Sequence, residues 1–181
     1  MLTPGHIALG YLVSVSFLKI THADGMFDAD TLNVLLLTGS LMGTAPDLDF
    51  LPFFIKHRSL KLVQNDSHRS YATHAPLFWL IISLLAYFSF GRTLFAAYLG
   101  GIILLGTWSH FLADSFEYGI GWLRPFSQKR YAVWNYPEER TTMRQHILLR
   151  HYFEFLKIYV KSRTFPFEIV AVLAAAAVLA T

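Results

Sequence analysis

Histidine and aspartate residues stand at the edges of apolar segments in this 181-residue chain. His110 and Asp114 are four residues apart at the end of a long apolar run, so on a helix their side chains point to the same side. Neutral imidazole and carboxylate are together the usual ligands of zinc, iron or manganese. The chain has no cysteine, which excludes disulfides, thiolate metal sites and a cysteine nucleophile. The pair therefore predicts part of a metal site, with a simple ion pair as the alternative for these two residues alone.

Three other segments carry the same residue types beside apolar sequence. His6 begins the first apolar run, and the sequence Ala-Pro-Asp-Leu-Asp-Phe places Asp47 and Asp49 directly after the second. His68 and His74 enclose the stretch before the third run. Ionisable groups at such positions are costly and are usually functional. The candidate metal ligands are His6, Asp47, Asp49, His68, His74, His110 and Asp114.

Charged residues near these candidates have separate predicted roles. Arg69 lies in the same stretch as two candidate ligands, and a guanidinium near a metal usually holds a phosphate or carboxylate. Asp49 is the candidate base, although the sequence leaves open which of Asp47 and Asp49 binds metal. A turn with a helix cap is the alternative for both aspartates, and anchoring at the membrane interface is the alternative for Arg69. Glu117 is a candidate supporting residue or base, with a solvent-facing position as its alternative.

Composition and the length of the apolar runs indicate a membrane protein. Hydrophobic residues make up 54% of the chain and charged residues only 15%, where a soluble domain averages about 25% charged. A spanning helix needs about 20 apolar residues, and only segments 75–91 and 93–109 approach this length cleanly. The sequence predicts an all-α, polytopic membrane helical bundle in a single domain over residues 1–181. Its four to five membrane-embedded helices lie near residues 6–20, 31–46, 75–91, 93–113 and 166–181.

One further helix is predicted near residues 137–162. It begins with acidic residues, ends with basic ones, and carries a broad apolar face between them. We expect this amphipathic helix to lie at the membrane surface or against the bundle.

The basic residues predict the orientation in the membrane. Thirteen of the fifteen Lys and Arg residues fall in segments 50–74 and 113–164, which lie on one side if all five apolar runs cross. Basic loops favour the cytoplasmic side, whereas the connector 22–30 is acidic. The same topology brings all the candidate ligands to the basic face. We therefore predict a multi-pass protein of a bacterial-type inner membrane, with the metal site facing the cytoplasm.

The motifs in order resemble the YdjM-type family of inner-membrane-associated metal-dependent hydrolases. The resemblance covers nearly the whole chain through Thr-Pro-Gly-His, Pro-Asp-Leu-Asp, His-Arg…Thr-His, His-Phe-Leu-Ala-Asp and Arg-Pro-Phe-Ser. The link from His68 to His74 is one residue longer than the family pattern. A more distant similarity relates His110-x-x-x-Asp114 to zinc-dependent phospholipase C and the fungal single-strand nucleases. Those enzymes carry another histidine where this chain has Ile120, so the similarity implies one or two divalent ions, zinc preferred.

The expected function is a membrane-bound metal-dependent hydrolase that uses a metal-activated water on a phosphoester or lipid-linked substrate. The expected partners are the lipid bilayer and that substrate; no nucleic acid is expected, and the oligomeric state is left open. One alternative is a non-catalytic integral membrane protein with a structural or sensing metal site. Another is a soluble or peripheral helical enzyme whose apolar runs form its core.

Overall fold

The computed structural model describes residues 1–57, 69, 71–117, 119–134, 153, 156–157 and 159–180. Within these residues the protein is all-helical, with one isolated antiparallel bridge between Ile120 and Tyr131. The α-helices of this part are α1 (Thr3–Ile20), α2 (Ala29–Met42), α3 (Phe50–His57), α4 (Pro76–Ser89), α5 (Leu94–Asp114) and α6 (Phe165–Leu179). The prediction of an all-α fold is confirmed. Most of the amphipathic helix predicted near 137–162 lies outside the described residues.

Local sequence accounts for where the helices begin and end. Asp28 caps α2 by accepting a hydrogen bond from the Thr31 N–H at 2.8 Å. Hydrogen bonds from the side chain and backbone of Thr31 hold the pKa of Asp28 below its ordinary value. The helix predicted near 31–46 ends at Met42, because the chain then tightens into a 3₁₀ helix, Ala45–Asp49, with a proline in its first turn. Another 3₁₀ helix, Ala72–His74, precedes α4.

Helices α1, α2 and α5 meet along a seam of glycines. A Cβ added to Gly10 would lie 2.3 Å from the carbonyl oxygen of Gly39, and one added to Gly43 would lie 2.2 Å from that of His6. A Cβ on Gly106 would lie 3.0 Å from the carbonyl oxygen of Gly39. Small residues of this kind let helix backbones approach closely. The seam brings the start of α1 and the ends of α2 and α5 to the same end of the bundle.

Apolar clusters fill the space around α5. Helix α4 packs against α5, and α6 packs against α1. Ser83 of α4 donates a hydrogen bond to the carbonyl of Gly100 at 2.6 Å. Helix α6 packs on α1 through three buried alanines. The cluster around the first half of α5 includes Leu18, Ala23, Leu35, Tyr98 and Ile102. The cluster around its second half includes Ala45, Trp79, Ile103, Phe111 and Ile120. The alanines between α1 and α6 are Ala8, Ala171 and Ala175.

By length and composition, one helix of the described part, α5 with 21 residues, can cross a membrane alone. Helix α2 and the segment Ala45–Phe53 would form a second span if this pair, bent by 51°, counts as one. Helices α4 and α6 are apolar but have only 14 and 15 residues. The structure thus supports one or two spans, fewer than the four to five predicted.

Candidate metal centre

Five of the predicted ligands come together at one end of the bundle. His6 lies in the first turns of α1, Asp47 in the 3₁₀ helix Ala45–Asp49, and His74 at the end of the 3₁₀ helix Ala72–His74. His110 and Asp114 lie in the last turns of α5. Both of these and the other two histidines are at most 1% exposed, whereas the Asp47 side chain is 32% exposed. His68 lies outside the described residues.

His110 turns its Nε2 nitrogen towards two carboxylates. Its Nδ1 lies 3.0 Å from the carbonyl oxygen of Gly43, and since a carbonyl only accepts, Nδ1 carries the proton. In the neutral imidazole, Nε2 then presents a lone pair; it lies 3.7 Å from Asp47 Oδ1 and 3.9 Å from Asp114 Oδ2. Among the described residues this nitrogen has no hydrogen-bond partner. A buried ring nitrogen without a partner is costly, and a bound cation would relieve that cost.

His6 extends the same cluster from α1. Its ring stacks on that of His110, with centroids 3.9 Å apart and planes at 24°. Its Nδ1 is buried and has no hydrogen-bond partner in the described part of the chain. His6, Asp47 and His110 each offer a ligand atom within 4.8 Å of the others, and His74, His110 and Asp114 form a second such group. These donor types fit a divalent metal ion.

The structure separates the two aspartates that the sequence left open. Asp49 lies behind His74: its Oδ2 accepts hydrogen bonds from Nδ1 of His74 and, at 2.9 Å, from the hydroxyl of Thr73. Nε2 of His74 is then directed at Asp47 Oδ1, 3.7 Å away. A carboxylate behind an imidazole sets the tautomer and the orientation of a metal-binding histidine. Asp47 therefore faces the cluster, whereas Asp49 supports it.

Arg69 is, like Asp47, a partly exposed residue of the site. Its Nη2 and Nε donate to Asp114 Oδ2 at 3.0 and 3.2 Å, and its side chain is 19% exposed. Arg124 in turn donates from Nη1 to the carbonyl oxygen of Arg69 at 2.6 Å. The amino group of Met1 lies 3.1 Å from Asp114 Oδ1. The guanidinium of Arg69 is thus held next to the candidate ligands.

Some contributors to the site had no role in the sequence prediction. The Gly43 carbonyl has no side-chain signal, and Thr73 belongs to the His-Arg…Thr-His motif without a predicted role of its own. Arg124 belongs to the Arg-Pro-Phe-Ser motif, which was a usable signal. Glu117 is buried, not solvent-facing, and accepts a hydrogen bond from the Thr164 N–H at 3.3 Å. Neither candidate ligand group found within the described residues includes Glu117.

Comparison with known proteins gives one family. A family model described as YdjM inner membrane protein matches residues 1–181. No curated protein and no solved structure matches the chain significantly. The distant similarity to zinc-dependent phospholipase C and the single-strand nucleases stays a prediction. Because the family match extends over the full length, the chain belongs to the YdjM inner membrane protein family.

Proposed function

We propose that this inner membrane protein is a metal-dependent hydrolase that acts on a phosphoester, carried on a lipid or lipid-linked molecule. The observation that supports the proposal is the convergence of Asp47 and Asp114 on Nε2 of His110, a buried nitrogen without a hydrogen-bond partner among the described residues. The two ligand groups share His110, which is consistent with one or two divalent ions, zinc preferred.

Different residues of the chain would have different roles in such a site. A bound divalent cation would supply a Lewis acid and lower the pKa of a coordinated water. His6, Asp47 and His110 would hold it, and Asp49 keeps His74 aimed at the same place. We assign Asp49 to this orienting role, not to water activation, because the residue is only 2% exposed. Arg69, at the accessible edge, would hold an anionic group such as a phosphate.

Exposed apolar side chains support a multi-pass arrangement. Leu37 of α2, Leu85 of α4 and Leu173 of α6 are each 55% to 64% exposed, on helices that water would not solvate well. A helix of 14 or 15 residues is about 21 Å long, shorter than the ~30 Å hydrocarbon core. Local thinning of the bilayer accommodates such short spans at modest cost. With the basic segments in the cytoplasm, the metal site faces that side.

Metal content of the detergent-purified protein tests the proposal. Mass spectrometry should find one or two zinc equivalents in the wild type and almost none in the His110→Ala, Asp114→Ala double variant, which loses a ligand from both groups. His22→Ala is the matched control, because this histidine is exposed in the connector between α1 and α2 and should leave the metal content unchanged. A wild type with the same metal-free baseline as the double variant would rule out the site.

A non-catalytic structural or sensing metal site is the second candidate function. The candidate ligands come from separate helices, which favours this role. A bound ion would join α1, α5 and the 3₁₀ helices that carry Asp47 and His74. Turnover distinguishes the two. Metal-loaded protein should cleave a member of a panel of phosphodiesters and phospholipids, and Arg69→Ala should weaken that cleavage. Metal-loaded protein that is stable but inactive on the whole panel would favour the structural role.

A further inference from the structure

We propose that Glu168 of α6 is a positioning residue for the metal centre, because its carboxylate completes the first turn of α1 and so sets the place of His6. The inference rests on the proposed metal site and assigns a role to a helix outside the ligand-bearing part of the chain.

Helix α1 begins without a cap of its own. Its N-cap residue is Leu2, which has no side-chain acceptor, and no side-chain capping hydrogen bond is made at this position. The first backbone N–H groups of any helix lack partners within the helix and need an external acceptor. Pro4 carries no N–H, which leaves Leu2, Thr3 and Gly5 as the donors at the start of this helix. The acceptor that an N-cap serine or aspartate would supply is therefore missing locally.

Glu168 supplies that acceptor from 163 residues further along the chain. Its Oε1 accepts from the N–H of Gly5 at 3.3 Å, and its Oε2 accepts from the N–H of Leu2 at 3.0 Å. The hydroxyl of Tyr159 also donates to Oε2. The negative carboxylate lies at the positive end of the α1 dipole, which adds a favourable electrostatic interaction. Three donors on one buried carboxylate compensate for its removal from water.

The contact is close enough to control His6, the residue after Gly5. A Cβ on Gly5 would lie 2.7 Å from Cγ of Glu168, so the backbone of α1 lies directly against this side chain. The position of Glu168 is set in turn by the packing of Ala171 and Ala175 against α1. His6 stacks on His110 at 3.9 Å, so a shift in the first turn of α1 would change the distances within the ligand group.

A cap that only stabilises the fold and a residue that positions a ligand predict different measurements. Loss of a cap alone lowers stability and leaves the geometry of a bound metal unchanged. Loss of a positioning residue changes both metal affinity and the ligand field. Cobalt(II) reports on the second effect, because its visible absorption spectrum depends on the arrangement of its ligands.

The experiment measures Co²⁺ binding to detergent-purified wild type, Glu168→Ala and Glu168→Gln. We expect Glu168→Ala to bind Co²⁺ about tenfold more weakly, by competition with a chelator, and to show an altered visible spectrum. Glu168→Gln keeps the shape and one acceptor oxygen, so it should fall between the two. Thr93→Ala is the matched control: it removes the N-cap of α5 at the end remote from the site, and should lower stability without changing the spectrum.

The outcomes are distinct. If Glu168→Ala loses stability as Thr93→Ala does but keeps the wild-type spectrum and affinity, Glu168 is a structural cap only and the proposal is wrong. If Glu168→Ala does not fold, a wild-type spectrum and affinity in Glu168→Gln overturn the proposal equally. If the wild type itself binds no Co²⁺, the metal site is wrong and this inference falls with it.

Discussion

Asp47 and Asp49 are two residues apart in one 3₁₀ helix, yet their surroundings differ in kind. Asp47 faces nitrogens of two imidazoles, each 3.7 Å from its Oδ1, and its side chain is 32% exposed. Asp49 is buried and accepts hydrogen bonds from His74 and Thr73. A shared cation would satisfy Asp47 and the imidazole nitrogens that face it, whereas Oδ2 of Asp49 already has its donors in His74 and Thr73. We therefore expect Asp47 and Asp49 to respond differently to the same substitution.

Asparagine substitutions separate these roles, because they remove charge and keep the shape of the side chain. We expect Asp47→Asn to reduce the number of zinc ions bound at saturation. Asp49→Asn should keep that number but weaken affinity about 10- to 100-fold, as loss of a supporting carboxylate typically does. Competitive titration with a chromophoric chelator measures both. The assignment is wrong if Asp49→Asn loses the ion and Asp47→Asn retains wild-type binding.

At the scale of the helices, the glycine seam determines how close the ligand-bearing segments come. Gly10 of α1 lies against the backbone of α2 at Gly39, and Gly43 lies against the carbonyl of His6. The carbonyl of Gly43 also accepts from His110, so the same close approach orients that ring. Helix separation of even a few tenths of an ångström would change both contacts, because packed interiors have little free volume.

Gly10→Ala tests the seam without altering a side chain of the site. The new Cβ would lie 2.3 Å from the Gly39 carbonyl oxygen, so α1 and α2 must move apart. We expect a loss of about 1–3 kcal/mol in the free energy of unfolding, together with weaker zinc binding. SDS titration from mixed micelles measures the first and chelator competition the second. Gly25→Ala is the control, since a Cβ there meets nothing within 4 Å; equal effects in both variants would contradict the prediction.

At the scale of the whole molecule, the two ends of the bundle have different chemistry. The candidate ligands gather where α1 begins and where α5 ends, whereas the acidic connector after α1 lies at the other end. There the Tyr98 hydroxyl donates to the carbonyl of Thr21 at 3.4 Å. The 21 residues of α5 correspond to about 32 Å, close to the ~30 Å of a bilayer core. This separation is consistent with ends on opposite sides of the membrane.

Cysteine labelling tests that orientation, and the absence of native cysteine makes each introduced thiol unique. Asp24 in the connector and Gln128 after α5 are both exposed. We expect a membrane-impermeant maleimide to label Asp24→Cys in spheroplasts and Gln128→Cys only in inverted vesicles. Labelling of both from the same side would contradict the proposed crossing of α5.

The sequence by itself determined the all-α class, the apolar helices and the His and Asp residues at their ends. These follow from local properties: composition, the spacing of apolar residues, and the four-residue separation that places His110 and Asp114 on one helix face. The family match over residues 1–181 agrees with that reading. The number of spans was less determined, because an apolar run does not reveal where its helix stops, as at Met42.

Only the tertiary structure decided which carboxylate faces the cluster and what holds each histidine. His110 depends on a carbonyl 67 residues away, and the first turn of α1 depends on a carboxylate 166 residues from Leu2. Such contacts have no local signature, since a backbone carbonyl is the same at every position and Glu168 resembles any acidic residue at a helix start. They arise when distant segments pack, and that packing turns separate His and Asp residues into one candidate metal centre.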